Sequence, residues 1–229
     1  MKHHVVVLSG AGISAESGLK TFRDMGGLWE NYAIEEVATP QAWQKNPSLV
    51  QAFYNERRRQ AAEAQPNAAH QAIAALESWA RVTVVTQNVD DLHERAGSTQ
   101  VVHLHGELRK VRSVQNPSLI LDIGGRALGD DERGPDGHIL RPHIVWFGEE
   151  VPLLPMAAEI CQTADFLLIV GTSLQVYPAA GLVHEVSPTT PRFVIDPGKP
   201  SVKSPQTYYY PEPATTGVPR VIDYLKTNY

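Results

Sequence analysis

The chain has 229 residues, of which 42% are hydrophobic and 20% charged, with a net charge of −5 and one cysteine, Cys161. This length suits a single domain with small insertions, and no apolar run approaches the roughly 20 residues that cross a bilayer. The mild negative charge argues against a protein that lives on nucleic acid, and one cysteine excludes an internal disulfide and a four-thiolate zinc site. We expect a cytoplasmic protein without a membrane partner or a specific nucleic-acid partner.

Short apolar strands alternate with helical stretches along the chain. Residues 5–8 predict a buried first strand that enters a glycine loop without a signal-peptide pattern. Asn46 and Pro47 predict the start of a helix, because Asn caps helices and Pro fits the first turn. A second helix is predicted at 68–79, a short one ends near Gly97, and further strands are predicted at 82–86, 101–104, 166–170 and 193–195. This alternation predicts a Rossmann-like α/β fold, a parallel sheet with helices on both faces.

Two stretches depart from this alternation. Residues 109–142 are rich in Gly, Asp and Arg without a clear period, which predicts a small inserted lobe. Residues 196–219 contain six prolines, which predicts a long irregular connection. We expect one domain over residues 1–229.

A glycine loop follows the first predicted strand. Gly10, Ala11 and Gly12 allow the backbone to approach a phosphate closely, and a helix after the loop offers free N–H groups. The alternative is a purely structural turn. The pattern also differs from the dehydrogenase fingerprint, because the third glycine is displaced to Gly18.

A polar turn at residues 86–90 follows another strand, where α/β sheets bind ligands. Its Asn88 and Asp90 side chains can hold a carboxamide, since one is an amide and the other a carboxylate. The alternative is that both residues cap the next helix.

Two histidines and a hydroxyl-rich turn complete the candidates. His103 and His105 point the same way on a strand, so a metal pair is conceivable. His105, at the strand end before Gly106, equally suits a general base, and a structural histidine is the third option. Thr172 and Ser173, after another strand, can contact phosphate or ribose, or form a simple turn.

These motifs, in this order, resemble the sirtuin family of NAD-dependent protein-lysine deacylases. The similarity also includes Thr21-Phe22-Arg23, Arg141-Pro142 and residues 145–149, and it covers roughly residues 4 to 196. It implies NAD as the cofactor and an acylated lysine in a protein as the substrate. It further implies a helical and cofactor-loop insertion at residues 24–64.

The resemblance assigns roles residue by residue. The catalytic residues would be His105, as the base, and Asn88, which with Asp90 would hold the nicotinamide amide. The cofactor would be bound by Gly10, Ala11, Gly12, Glu16, Phe22, Arg23, Gln87, Asn88, Asp90, Gly171, Thr172, Ser173 and Asp196. The substrate peptide would pair with residues 145–149 as an added strand, through Val145, Phe147, Gly148 and Glu149. In the implied reaction the acyl oxygen attacks the ribose carbon that nicotinamide leaves, and His105 takes a proton from a ribose hydroxyl.

The predicted helix after Asn46 carries two candidates for recognising the acyl group. Tyr54 and Arg57 share a face of that helix, because they are three residues apart. With Ala38, they resemble the sirtuin branch that removes succinyl, malonyl or glutaryl groups, in which the arginine pairs with the distal carboxylate. The alternative is a solvated helix face, which the neighbouring Arg58 and Arg59 support.

The sequence departs from the family in the inserted lobe. Most sirtuins carry two Cys-x-x-Cys pairs there, whereas residues 109–142 contain no cysteine. We therefore expect no zinc, and a lobe held together by Leu119, Ile120, Leu121 and Ile123. Asp196 also stands where the family usually has asparagine.

Other functions stay open at this point. A mono-ADP-ribosyltransferase or an NAD glycohydrolase could use the same cofactor residues with another acceptor. A catalytically silent module that binds NAD or acyl-lysine is disfavoured by His105 and Asn88, and a dehydrogenase is disfavoured by the displaced glycine. The sequence leaves the oligomeric state open, and a monomer is compatible with it.

Overall fold

The computed structural model describes residues 2–20, 28–29 and 32–229. Its strands are β1 His4–Ser9, β2 Leu28–Trp29, β3 Tyr32–Ala33, β4 Arg81–Thr86, β5 Val101–His103, β6 Gly106–Ser113, β7 Ile120–Asp122, β8 Leu140–Ile144, β9 Phe166–Val170, β10 Arg192–Ile195 and β11 Thr207–Tyr210. Its helices are α1 Ile34–Val37, α2 Pro40–Lys45, α3 Pro47–Glu63, α4 Ala68–Leu76, α5 Leu92–Ala96, α6 Leu154–Gln162 and α7 Ala214–Asn228. Within these residues, no helix is both long and apolar enough to span a bilayer.

The main sheet has six parallel strands in the order β11-β10-β9-β1-β4-β5. Successive side chains of β1 point to opposite faces, so Val5 and Val7 pack with α4 and α7, whereas Val6 and Leu8 pack with α6. Both faces are therefore covered, and β1 and β9 are buried along their whole length. This confirms the Rossmann-like α/β prediction.

Helix ends follow local sequence signals. The Asn46 side chain accepts the Leu49 N–H at 3.1 Å and Pro47 opens α3, as predicted. Gly97 adopts φ = +107° and ends α5, also as predicted. The helix predicted at 68–79 ends earlier, at Leu76, because the Trp79 N–H turns back to the Leu76 carbonyl in a tight turn.

A second, smaller sheet has the antiparallel order β7-β6-β8. It extends from Gly106 to Ile144, slightly beyond the lobe predicted at 109–142. The apolar face of α3 packs against this sheet through a shared core that includes Phe53, Leu108 and Ile144. Arg58, on the same helix, is 2% exposed and donates to the Leu108 carbonyl, which fixes the helix to β6.

The far end of this lobe corrects one expectation. Its core consists of Val111, Leu128 and Leu140, against which Leu121 and Ile123 pack. The alternation along β7 turns Leu121 inward and Ile120 outward, so Ile120 is 43% exposed. Ile120 was therefore wrongly assigned to the core, and Leu119 is half-buried.

The proline-rich stretch at 196–219 is not wholly irregular, contrary to expectation. It contains β11, whose Thr-Tyr-Tyr-Tyr sequence suits an edge strand, and the first turns of α7. Pro219 lies inside α7, where burial of Val218, Val221 and Leu225 against the sheet outweighs the poor helix propensity of its first half.

Candidate active site

Two glycine-containing loops meet at the carboxyl ends of β1 and β9. The Gly12 N–H donates to the Gly171 carbonyl at 2.8 Å, and the Gly10 N–H donates to the Val170 carbonyl at 3.0 Å. A Cβ on Gly12 would lie 2.7 Å from the Gly171 Cα, and a Cβ on Gly10 would lie 2.8 Å from the Thr172 Cβ. The two loops can therefore touch only because glycine stands at both positions. This need for glycine comes from the fold itself and does not depend on a bound ligand.

Within residues 10–20, the described part of this loop, the expected helix is replaced by two short turns. Ala11–Ile13 and Ala15–Ser17 form single 3-10 turns instead. The Ile13 and Ser14 N–H groups bond to carbonyls three residues back, and Gly18 at φ = +89° ends the second turn. The exposed Glu16 accepts the Thr215 hydroxyl at 2.6 Å, beside the start of α7. Phe22 and Arg23 lie outside the described residues.

The turn after β4 forms a buried polar group. The Asn88 side chain donates to Ser14 Oγ at 3.1 Å, and Ser14 Oγ donates to Asp90 Oδ2 at 3.1 Å. Asp90 Oδ1 also accepts the Leu92 N–H at 3.2 Å, so the capping alternative applies to Asp90 in part. Burial raises the pKa of Asp90, although these hydrogen bonds oppose the rise. Ser14 had been given no role, because the sequence cannot show which side chains meet across strands.

His105 lies beside the same turn. Its Nδ1 is 3.1 Å from the Gln87 carbonyl, which can only accept, so Nδ1 carries the proton. The lone pair is then on Nε2. Burial lowers the pKa of His105, and the Gln87 hydrogen bond only partly offsets this. The imidazole is therefore neutral near pH 7 and can take up a proton, as a general base must.

His103 has a different environment, and the conceivable metal pair with His105 does not form. Its Nδ1 donates to the Asn88 carbonyl at 2.9 Å, and its Nε2 is 2.6 Å from Glu94 Oε1. Burial lowers the pKa of His103, but the hydrogen bond and charge of Glu94 outweigh it, so the pKa is raised. Both nitrogens thus donate, and the bond to the Asn88 carbonyl lets His103 stabilise the 86–90 turn.

The other predicted cofactor residues gather at the same edge of the sheet. Gln87 Nε2 donates to Thr172 Oγ1 at 3.3 Å. Asp196 follows β10, is 4% exposed and accepts the Gly198 N–H at 2.7 Å. Ser173 is half-buried in the turn after β9. The loops after β1, β4, β9 and β10 therefore bring polar groups together where parallel sheets bind their ligands.

Helix α3 carries Tyr54 and Arg57 on one buried face. Tyr54 is 1% exposed and Arg57 is 8% exposed, so the solvated-face alternative is wrong for both residues. It holds for Arg59, which is exposed and pairs with glutamates of its own helix. Trp146, to which no role had been assigned, donates its indole N–H to the Tyr54 hydroxyl at 3.1 Å.

The backbone of residues 145–149 contacts both His105 and the segment around Ala38. The Val145 N–H donates to the His105 carbonyl at 2.9 Å, and the Phe147 N–H donates to the Ala38 carbonyl at 3.0 Å. The segment is a turn with Gly148 at φ = +89°, not the expected strand. Two hydrogen bonds stabilise the bend: the Glu149 carboxylate accepts the Trp146 N–H at 2.8 Å, and the Glu149 N–H donates to the Trp146 carbonyl at 3.0 Å.

Comparisons with a family model, with protein sequences and with solved structures agree on one family. The sequence model described as the Sir2 family matches residues 10–178. An NAD-dependent protein deacylase of Aggregatibacter actinomycetemcomitans is 53% identical over 208 residues, which cover 90% of this chain and 99% of that protein. A mutant Sir2 homologue solved with ADP-ribose superimposes with a TM-score of 0.89 at 38% identity, covering 99% of this chain and 93% of that one. A Sir2 homologue solved with NAD gives a TM-score of 0.86 at 38% identity, with 99% and 90% covered.

Proposed function

The chain belongs to the Sir2, or sirtuin, family and is an NAD-dependent protein deacylase, and we propose that it removes succinyl and malonyl groups, alongside acetyl groups, from lysine side chains. Nicotinamide and O-acyl-ADP-ribose would be the other products. The observation that carries this proposal is the buried pair of Tyr54 and Arg57 next to the 145–149 turn.

The acyl preference follows from the chemistry of that pair. The charge of Arg57 is close enough to influence the ionisation of the Tyr54 phenol. A guanidinium binds a carboxylate with two parallel hydrogen bonds, which are strongest away from water. Succinyl and malonyl groups carry such a carboxylate at their far end, whereas acetyl does not. Ala38, which is 2% exposed, lies in the same cluster, and its small side chain is compatible with the longer groups.

The residues at the edge of the main sheet fit NAD. Asp90 is a buried carboxyl next to the Asn88 amide, and this combination offers both an acceptor and a donor to a carboxamide. When bound, NAD would supply an electrophilic ribose carbon for the acyl oxygen, with nicotinamide as the leaving group. His105 Nε2, with its lone pair set by the Nδ1–Gln87 bond, is the group we assign to take the ribose hydroxyl proton.

For the substrate peptide we propose contact with Val145, Phe147, Gly148 and Glu149. The N–H groups of Val145, Trp146, Phe147 and Glu149 are already bonded within the protein. A peptide that pairs with this turn therefore has to use the Gly148 N–H and the carbonyl groups. Phe147 is 48% exposed and offers an apolar contact beside it.

The test compares one peptide in four forms, with succinyl, malonyl, acetyl or unmodified lysine, each incubated with NAD and followed by mass spectrometry. The wild-type chain should remove all three acyl groups and form the matching O-acyl-ADP-ribose. Arg57→Met should lose roughly ten- to a hundredfold in kcat/KM for the succinyl peptide, the range that hydrogen bonds to a charged group are worth. It should keep its acetyl activity, which also shows that the variant is folded.

Arg59→Met is the matched control, because Arg59 lies on the same helix but is exposed. It should leave every activity unchanged. If Arg57→Met lost acetyl and succinyl turnover equally, Arg57 would not select the acyl group. A peptide that gains ADP-ribose rather than losing its acyl group would favour the transferase alternative.

A further inference from the structure

Trp146 contacts the hydroxyl of Tyr54 in a way that the acyl assignment does not use. The two residues are buried, and the indole N–H of Trp146 points at the Tyr54 oxygen at 3.1 Å. An indole N–H can only donate. The Tyr54 oxygen therefore acts as the acceptor, and the contact fixes one of its lone pairs.

This leaves the hydroxyl proton of Tyr54 directed elsewhere. In the part of the chain that the structure describes, Tyr54 accepts from Trp146 and donates to no side chain or backbone group. Burial raises the pKa of Tyr54 far above its ordinary value, so the proton stays on at any working pH. A phenol that already accepts a hydrogen bond is polarised and becomes a better donor. Such a donor suits an anionic oxygen.

The indole is itself held on two sides. The Arg141 guanidinium lies 3.3 Å from the centre of the Trp146 ring, a cation–π contact. Arg141 also donates to both carboxylate oxygens of Glu149, at 2.7 and 3.1 Å. Glu149 in turn accepts the backbone N–H of Trp146 at 2.8 Å. Ring and backbone are thus clamped by one ion pair, and the direction of the indole N–H is set.

We propose that Trp146 is a positioning residue for acyl selection, which turns the Tyr54 O–H towards the distal carboxylate of a succinyl or malonyl group. This inference rests on the proposed function. It makes Trp146 act through Tyr54 and not through direct contact with the acyl group. It also connects the acyl site to the peptide-binding turn, since Trp146 belongs to residues 145–149.

The test removes the N–H but keeps the ring. Trp146→Phe preserves an aromatic face for Arg141 and deletes the donor. We expect KM for the succinyl peptide to rise about two- to tenfold, the range that one hydrogen bond is worth. The ratio of kcat/KM for the succinyl peptide to that for the acetyl peptide should fall by the same factor, because an acetyl group has no distal carboxylate for Tyr54 to bind. Trp43→Phe is the control: this neighbouring ring lies 5.8 Å from Trp146 and forms no hydrogen bond with Tyr54.

A double-mutant cycle with Tyr54→Phe decides whether Trp146 acts through Tyr54. If it does, Trp146→Phe has no further effect on succinyl turnover once Tyr54→Phe is present. Additive effects, or equal losses with acetyl and succinyl peptides, would mean that Trp146 merely packs, and would overturn the inference while leaving the acyl preference intact. If the wild-type chain did not remove succinyl groups at all, the proposed function and this inference would fail together.

Discussion

Replacing Gly12 with alanine adds a methyl group where the two glycine-containing loops touch. The new Cβ would lie 2.7 Å from the Gly171 Cα and 2.8 Å from the Gly171 oxygen. Both are backbone atoms, so no side chain can rotate away, and the loops must separate by roughly half an ångström or more to relieve the overlap. The φ angle of Gly12 lies outside the left-handed region, so alanine can adopt its conformation and the substitution tests contact alone.

The expected cost has two parts. Overpacking a tight contact costs about 1–3 kcal/mol, and weakening the Gly12–Gly171 hydrogen bond adds up to about 1 kcal/mol. Alanine returns about 0.4–1 kcal/mol by restricting the unfolded chain. The hydrogen-bond loss and the alanine gain are of similar size and nearly cancel, so the net loss is about 1–3 kcal/mol, which in a chain of this size lowers the melting temperature by roughly 2–12 °C. Thermal unfolding without NAD, followed by circular dichroism, measures it directly.

Gly181→Ala is the matched control, since a Cβ there meets no atom within 4 Å. It should leave the melting temperature unchanged or raise it slightly. Calorimetric titration with NAD should show weaker binding for Gly12→Ala and unchanged binding for Gly181→Ala. If both variants melted at the wild-type temperature, the close contact between the loops, and the reason we give for these glycines, would be refuted.

Three further predictions concern protonation and metal. Because burial lowers the pKa of His105, the acidic limb of kcat/KM for an acetyl peptide should have its midpoint below the ordinary histidine value of about 6.5, and a midpoint above it would contradict a buried base. Burial also lowers the pKa of His70 to about 4, so its contribution to stability is present above about pH 6.5 and is lost as the pH falls towards 4. In urea unfolding, the stability difference between wild type and His70→Gln should therefore shrink over that interval, whereas a constant difference would count against a neutral buried histidine. Elemental analysis should find far less than one zinc per chain, since Cys161 is buried in the core beside the main sheet, and stoichiometric zinc would overturn the prediction.

Short sequence patterns predicted the buried strands, the start of α3 and the 86–90 turn, because each of these depends on residues close together in the sequence. Residues 5–8 and 166–170 are continuous apolar runs, and a strand covered on both faces needs such a run. Asn46 and Pro47 start α3 through bonds to residues within one turn. The 86–90 turn was identified because ligand-binding loops follow strands, a rule that needs no knowledge of the strand order.

Contacts between distant segments could not be predicted in this way. Arg57 and Arg58 stand in a run of three arginines, which is typical of a solvated surface, yet both are buried. Arg58 is held against the second sheet by its bond to the Leu108 carbonyl, a contact across 50 positions of sequence. Trp146 meets Tyr54 across 92 positions of sequence. β11 was hidden among prolines, although its run of tyrosines was a signal that propensity alone could have revealed.

His103 and His105 show how environment gives two like residues different tasks. Both rings donate from Nδ1 to neighbouring carbonyls of one turn, those of Asn88 and Gln87. These bonds fix the orientation of both rings, so the two histidines differ only in what surrounds Nε2. For His103, burial lowers the pKa, but Nε2 lies 2.6 Å from Glu94 Oε1, and this carboxylate favours the imidazolium and raises the pKa of the ring. For His105, no carboxylate among the described residues lies against the ring, and burial lowers its pKa. The spacing of the two histidines predicted that they share a side of one strand, but β5 ends at His103 and His105 lies in the turn that follows. The assignment of the base to His105 depends on where Glu94 lies.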